Sequence, residues 1–265
     1  MNQIKQYVVC ALFLATAMCV AVASHAQSPF DGTWRINPAQ SKLDQKPFTI
    51  YTSQGWYHCV SCTPSFEVQA DGQFHPVSGQ SFDTISVTLV DPHTISIVSK
   101  KGDKTIEEDT ATVSADGKLT TIKTTTYPLN GGAAQNSSMK LKRAGVLPAG
   151  VHATSGNWMP LGFTDTEADL SFTFTSNGDQ FSMTDPTGDS YTAKFDGNDY
   201  PYKSYGANGV TLKQVDARTI VETDKRDGNV INVQKMTVSS NGKTMTIEAH
   251  DPQRNTTSTF VAMKK

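Results

Sequence analysis

The chain lacks a clustered excess of basic residues. Its 265 residues include 23 Lys and Arg against 25 Asp and Glu, which gives a formal net charge of -2 at pH 7. Proteins that bind nucleic acid neutralise its phosphates with clustered Lys and Arg side chains. We therefore expect no nucleic acid among the partners of this protein.

Long runs of Ala, Leu, Glu and Lys at helical spacing are also missing, whereas Thr, Ser, Gly and Asn are abundant. Thr is favoured in strands, and Gly, Asn and Ser are typical of turns. The composition therefore favours strands and turns over helices.

The sequence contains none of the common catalytic motifs. It has no Gly-x-Ser-x-Gly elbow, no His-Glu-x-x-His zinc helix and no glycine-rich phosphate loop. His152 and His250 are isolated, and Glu107 and Glu108 point to opposite faces of a predicted strand. We accordingly predict no catalytic residues, no metal site and no cofactor, and we favour a non-enzymatic function.

Only the N-terminus carries a long hydrophobic run. Residues 1–5 end in Lys5, residues 7–23 are apolar apart from Thr16, and Ser24 and Ala26 fit the small-residue positions of a signal-peptidase site. An uncleaved anchor is the alternative, but the run is shorter than the roughly 20 residues that span a bilayer. We predict that residues 1–26 are a signal peptide, that the protein is exported to the periplasm or secreted, and that it keeps no integral membrane segment.

The rest of the chain contains an internal repeat. Residues 71–122 match residues 196–247 at many positions with one constant offset of 125, and the motif that ends at Trp34 has a counterpart that ends at Trp158. Self-similarity at a fixed spacing indicates a duplicated architecture. We predict a first β-barrel repeat over residues 27–144, a linker over 145–154 and a second β-barrel repeat over 155–265.

Alternation of apolar and polar residues defines the strands of each repeat. In the second repeat the apolar positions recur at every second residue, which puts them on one face of a strand, and Asn177-Gly178 predicts a hairpin turn. The apolar parity changes after Val233, which predicts a β-bulge near Gln234 and Lys235. The clearest alternating positions are Ala168, Leu170, Phe172, Phe174, Phe181, Met183, Tyr191, Ala193 and Phe195.

Strands at this even spacing, with turns about every ten residues, are typical of antiparallel barrels and sandwiches. We expect an all-β fold of two tandem antiparallel up-and-down barrels, each with about eight or nine strands. Residues 38–44 are the one segment where we expect a helical turn.

The start of each repeat resembles the lipocalin-like barrels. In that family a Gly-x-Trp motif opens the first strand, and its tryptophan closes one end of the barrel under a basic side chain of the last strand. The matching residues are Gly32 and Trp34, with Arg143 as the cover, and Gly156 and Trp158, with Lys264 or Lys265.

The whole chain is also similar to a group of bacterial secreted proteins. The similarity lies in the Phe-Asp-Gly-Thr-Trp start, in the Tyr-His-Cys-x-x-Cys segment that ends at Cys62, and in the Asp-x-x-Thr-Ile-x-x-x-x-Lys pattern from Asp216 to Lys225. This resemblance implies tandem β units and export, and it implies no reaction.

A barrel of about eight strands either fills its interior with side chains or encloses one small ligand. We expect an exported binding protein that holds a small apolar molecule. The alternatives are a structural or protein-interaction module of the cell envelope with filled barrels, and a thiol-based redox protein that uses Cys59 and Cys62. The predicted ligand-binding residues are Phe172, Phe174, Phe181, Met183, Phe195 and Met236.

Cys59 and Cys62 are the two cysteines that remain after the predicted signal peptide. By comparison with the second repeat, they lie on a turn between strands. An oxidising compartment favours a local disulfide between them. A metal site with His58 and with His75 or His93, and thiol exchange at Cys59, are the other two interpretations.

Overall fold

The computed structural model describes residues 28–44, 46–147, 149–166 and 169–265. The predicted signal peptide, the linker residue Pro148 and the alternating position Ala168 lie outside the described residues. Within these ranges the chain forms twenty strands and one 3-10 turn, and no helix there has the length and apolarity needed to cross a membrane. The all-β expectation is confirmed.

The strands follow the repeat. The first ten are β1 (Gly32–Ile36), β2 (Phe48–Ser53), β3 (Trp56–Cys59), β4 (Phe66–Gln69), β5 (Asp71–Pro76), β6 (Thr84–Asp91), β7 (Thr94–Lys101), β8 (Lys104–Val113), β9 (Leu119–Thr126) and β10 (Gln135–Ala144). The second ten are β11 (Gly156–Thr166), β12 (Ser171–Asn177), β13 (Gln180–Thr184), β14 (Ser190–Lys194), β15 (Asp199–Lys203), β16 (Gly209–Asp216), β17 (Thr219–Arg226), β18 (Asn229–Val238), β19 (Thr244–Asp251) and β20 (Thr256–Lys264). The expected helical turn is present at Pro38–Gln40.

The strands form two antiparallel sheets of ten strands each. One is a closed barrel in the order β1-β12-β13-β14-β15-β16-β17-β18-β19-β20, which we call the C-terminal barrel. The other has the order β4-β3-β2-β11-β10-β9-β8-β7-β6-β5 and is nearly closed, and we call it the N-terminal sheet. The expectation of eight or nine strands per unit was therefore wrong, since each unit has ten.

The two repeats exchange their first strands. β1 lies in the C-terminal barrel between β12 and β20, where Trp34 is opposite Phe172 on one side and Lys264 on the other. In return, β11 lies in the N-terminal sheet between β10 and β2, where Trp158 is opposite Arg143 and Phe48. Each sheet is therefore completed by a strand from the other repeat, and the ranges 27–144 and 155–265 describe the sequence repeat but not the membership of the sheets.

The chain consequently crosses between the sheets twice, after β1 and after β11. The predicted linker lies elsewhere, because residues 145–154 join β10 to β11 within the N-terminal sheet. The first crossing carries the 3-10 turn and is held to β20 by backbone hydrogen bonds in both directions between Lys42 and Thr259, of 2.7 and 2.8 Å.

Both tryptophans are buried at the start of the exchanged strands. The Trp34 indole N–H donates to the Phe30 carbonyl at 2.6 Å, and the Trp158 indole N–H donates to the Thr154 carbonyl at 2.8 Å. The Arg143 guanidinium lies 4.1 Å from the ring of Trp158, so the expected pairing of Arg143 with Trp34 was wrong. Trp34 is covered by the Lys264 ammonium, 5.1 Å from its ring. Each basic side chain lies on the strand next to its tryptophan. When β1 and β11 exchange sheets, each tryptophan therefore meets the basic residue of the other repeat.

Two local predictions in the second repeat need correction. The hairpin after β12 turns at Gly178 and Asp179, one residue later than expected, since Asn177 pairs with Gln180. No bulge occurs at Gln234 and Lys235, which keep regular pairing with β17 and β19. The pairing with β17 shifts near Ile231 instead. The alternation of apolar residues is interrupted because Gln234, which faces the barrel interior like the buried Met236, is polar.

The strand exchange predicts which half each tryptophan stabilises. Trp34→Ala should lower the free energy of unfolding by about 3–5 kcal/mol, the usual cost of removing a buried tryptophan. It should raise amide hydrogen exchange in β12–β20, whereas Trp158→Ala should raise it in β2–β10. Peptide-resolved exchange measured by mass spectrometry checks this, and faster exchange in the opposite halves would contradict the strand order.

Candidate functional site

The C-terminal barrel contains a cavity of about 510 Å³ that opens to solvent. A larger groove of about 780 Å³ lies along the crossing segments, and its lining contains no acidic residue. The barrel cavity combines aromatic walls with buried polar groups, which is the composition of ligand sites. Its lining residues include Ile36, Phe172, Phe174, Met183, Tyr202, Glu222, Gln234, Met236, Ile247 and Phe260.

Four of the six residues predicted to bind a ligand line this cavity, namely Phe172, Phe174, Met183 and Met236. Phe181 does not, because it is fully buried and packs against Phe174 with a centroid distance of 4.8 Å. Phe195 lies on the other side of Phe181, 5.2 Å away, and lines a separate surface depression. The period-two pattern placed all six on the inner face, but it could not separate cavity wall from solid core.

Two carboxyl groups lie on the inner face of the barrel beside the cavity. Glu222 and Asp224 alternate with outward residues on β17, in line with the buried Ile220, and only 3 % and 6 % of their surfaces are exposed. Sequence reasoning missed them. The signal was available, because residues two apart on a strand share a face and Ile220 fixes which face is inside.

The pair is held by donors from two other strands of the barrel, β14 and β18. The Tyr191 hydroxyl donates to Glu222 Oε2 at 2.5 Å, and the Gln234 amide bridges Glu222 Oε1 at 3.3 Å and Asp224 Oδ2 at 3.2 Å. The Asn232 amide donates to the same Asp224 oxygen at 3.0 Å. Asp224 Oδ1 is buried and receives no hydrogen bond from the N–H and hydroxyl groups of the described residues, which leaves it as the acceptor for a proton held by Glu222.

Burial sets the ionisation of this cluster. Removal from water raises the pKa of Glu222 well above its usual value, and the adjacent Asp224 raises it further. Burial also raises the pKa of Asp224, partly opposed by the hydrogen bond from Asn232. The pKa values of Tyr191 and Tyr202 are raised by burial and by the nearby Glu222. The pair therefore retains protons at a pH where exposed carboxyls are ionised.

The N-terminal sheet contains a second acidic pair at the matching place. Glu107 and Asp109 on β8 occupy the positions that Asn232 and Gln234 occupy on β18, at the repeat offset of 125. Burial and the neighbouring Asp109 raise the pKa of Glu107 to about 8. The Thr124 hydroxyl donates to Asp109 at 2.5 Å. The same-face partner of Glu107 is therefore Asp109, two residues away, and not Glu108.

The cavity of the C-terminal barrel faces the N-terminal sheet. Thr126, Gln135 and Ser137, at the ends of β9 and β10, contribute to its lining. The loop between these strands contacts the turn after β13, where the Leu129 N–H donates to the Thr187 carbonyl at 2.7 Å and the Asn130 side chain donates to the Pro186 carbonyl at 3.2 Å. The second repeat thus forms most of the cavity, and the first contributes part of its rim and, through Ile36, part of its wall.

The two cysteines lie at disulfide distance, with their Cα atoms 5.3 Å apart. Cys62 lies in the hairpin loop after β3, as the repeat comparison predicted, whereas Cys59 is the last residue of β3 and pairs with Phe66. His58 pairs with Glu67 across the hairpin at 3.0 Å, and His75 pairs with Asp71 at 2.8 Å. Among the described residues, no group of three or more His, Cys, Asp or Glu is arranged to hold a metal ion.

The raised pKa of Glu222 predicts how stability depends on pH. In the unfolded chain this carboxyl loses its proton near pH 4.5, whereas the folded protein keeps it. Folding therefore takes up a proton above that pH, and stability falls as pH rises, by at most about 1.4 kcal/mol per pH unit for one group. Glu222→Gln should remove this pH dependence. The free energy of unfolding of the variant, relative to that of the unmodified protein, should therefore increase between pH 5 and pH 8.

Urea unfolding at several pH values measures this difference, with the exposed Glu248→Gln as the control for net charge. A difference between Glu222→Gln and the unmodified protein that stays constant with pH would contradict a retained proton.

Comparison of the chain with models of protein families, with curated proteins and with solved structures gives no match. The functional conclusion therefore depends on the geometry of the barrel cavity.

Proposed function

We propose that this protein is an exported, non-enzymatic binding protein that holds one small, mainly apolar molecule in the C-terminal barrel. The observation that carries the proposal is the cavity of about 510 Å³ inside the closed sheet. Protein interiors normally pack at the density of organic crystals, with few voids larger than one water molecule. A cavity of this size, which opens to solvent, therefore leaves room for a bound molecule.

The size and lining of the cavity support a small ligand. Its volume lies within the range of about 300–1,000 Å³ that is common for small-molecule sites. Phe172, Phe174 and Met236 give it apolar walls, while Tyr202, Glu222 and Gln234 supply a few polar groups at fixed positions. Apolar walls provide affinity through burial, and sparse polar groups provide orientation.

Export is part of this proposal. It rests on the signal-like character of residues 1–26, and the approach of Cys59 to Cys62 supports it, because disulfides persist in oxidising compartments. An interaction module with filled barrels is the second candidate, and the open space in the C-terminal barrel makes it the weaker one.

The proposal predicts that the neutral fluorophore N-phenyl-1-naphthylamine binds with one-to-one stoichiometry and gains fluorescence. Phe172→Ala should weaken binding about tenfold, because it removes an aromatic wall worth roughly 1.4 kcal/mol of contact. Fluorescence titration gives the affinity, and native mass spectrometry gives the stoichiometry.

Phe195→Ala is the matched control, since Phe195 packs on the same core but does not line this cavity. Equal affinities of Phe172→Ala and Phe195→Ala for the fluorophore would indicate that it binds outside this cavity. The absence of any saturable binding by the unmodified protein would refute the proposed function.

A further inference from the structure

We infer that the molecule held by the C-terminal barrel is an amphipathic amine, whose apolar body lies against Phe172 and Met236 and whose ammonium group binds the carboxyls of Glu222 and Asp224. The inference rests on the proposed function and adds the chemical class of the ligand. Its basis is the position of the carboxyl pair, the free acceptor within the pair, and the charge of the cavity wall.

Glu222 makes the carboxyl pair accessible from the cavity, and the buried Asp224 lies directly behind it on the same face of β17. Glu222 lines the cavity directly, and Asp224 shares the Gln234 amide with it. Apart from the proton held by Glu222, Asp224 Oδ1 has no hydrogen-bond donor among the described residues, so release of that proton leaves it without a donor. A primary ammonium has three N–H donors and no acceptor. It therefore supplies the donors that this site lacks.

The charge of the lining selects against an acid. Asp169, Asp185 and Glu222 line the cavity, and its lining residues include no Lys, Arg or His. Asp169 accepts a hydrogen bond from Ser171 and lies 3.9 Å from Lys265, whereas no Lys, Arg or His of the described residues pairs with Asp185 or with the Glu222–Asp224 pair. A carboxylate ligand would enter a low-dielectric space among negative groups, where the repulsion is largest. A cationic ligand is attracted by the same acidic groups.

When the amine binds, its ammonium group replaces a proton of the carboxyl pair. In the empty barrel the carboxyl pair keeps a proton because burial disfavours its ionised form. In the part of the chain that the structure describes, the titratable groups that face the pair are Tyr191 and Tyr202 from β14 and β15, with Asp185 and Asp189 acting on Tyr202, and no cation competes. When the ammonium enters, the pair releases one proton to solvent and keeps the ligand as its counter-ion. No bond in the ligand changes.

The test compares decylamine, decanol and decanoate, which share one apolar chain and differ in the head group. Isothermal titration calorimetry at pH 7.5 should give decylamine at least tenfold tighter than decanol, and decanoate the weakest. Titrations in two buffers with different ionisation enthalpies should show release of about one proton with decylamine and none with decanol. Decylamine affinity should rise several-fold between pH 6 and pH 8, since deprotonation of the pair becomes easier.

Glu222→Gln and Asp224→Asn keep the size of each side chain while removing its charge. Each should abolish the preference for decylamine over decanol and the proton release, while the affinity for decanol stays within about threefold. Glu107→Gln, which alters the corresponding pair of the N-terminal sheet, should leave all three affinities unchanged.

The outcomes separate the two proposals. Saturable binding of decanol and N-phenyl-1-naphthylamine with no preference for decylamine would overturn the amine assignment and leave the binding function standing. Failure of all these probes to bind would refute the binding function itself. A preference for decylamine that persists in both carboxyl variants would move the ammonium site away from Glu222 and Asp224 and overturn the inference.

Discussion

The exchange of β1 and β11 is the constraint on which the rest of the structure depends. The C-terminal barrel closes only because β1 hydrogen-bonds to β12 on one side and to β20 on the other. A sheet without this strand would expose two edges, and unpaired edges promote association with other chains. Since the closing strand comes from the first repeat, neither half is a self-sufficient unit in this arrangement. The duplication therefore produced one interlocked protein rather than two independent barrels.

The same exchange positions the cavity. Trp34 places a large buried ring at the start of β1 and packs into the core of the C-terminal barrel, together with Phe30, Phe174 and Phe181. The aromatic residues fill this part of the interior, as the edge-to-face contacts of Phe30 with Phe174 and Phe181 indicate. Ile36, at the other end of β1, lines the cavity instead. A strand from the first repeat thus contributes both to the solid core and to the wall of the open space.

The sequence predicted the strands, most turns and the repeat, because period-two alternation and glycine-containing turns are local signals. It did not predict the partners of each strand. β1 and β11 start with the same Gly-x-Trp motif, so either fits the gap between a second and a tenth strand, and local pattern cannot decide between them. Only the apolar part of the candidate site was predicted, because residue composition is also a local signal. Apolar inner residues stand out by composition, whereas Glu222 and Asp224 resemble surface residues unless their parity is compared with that of Ile220.

Buried carboxyls also show that the interior is shaped by more than stability. An ionisable group withdrawn from water costs free energy unless it is neutral and hydrogen-bonded, and an apolar residue of similar volume is often as stable or more so. In the N-terminal sheet Ile97 and Ser99 occupy the positions of Glu222 and Asp224, and that sheet carries its acids on β8 instead. Each sheet thus has an interior acidic pair at corresponding positions along its strands, on β17 in the C-terminal barrel and on β8 in the N-terminal sheet. Because the fold accepts Ile97 at the position of Glu222, the repeat itself does not require a carboxyl on that strand.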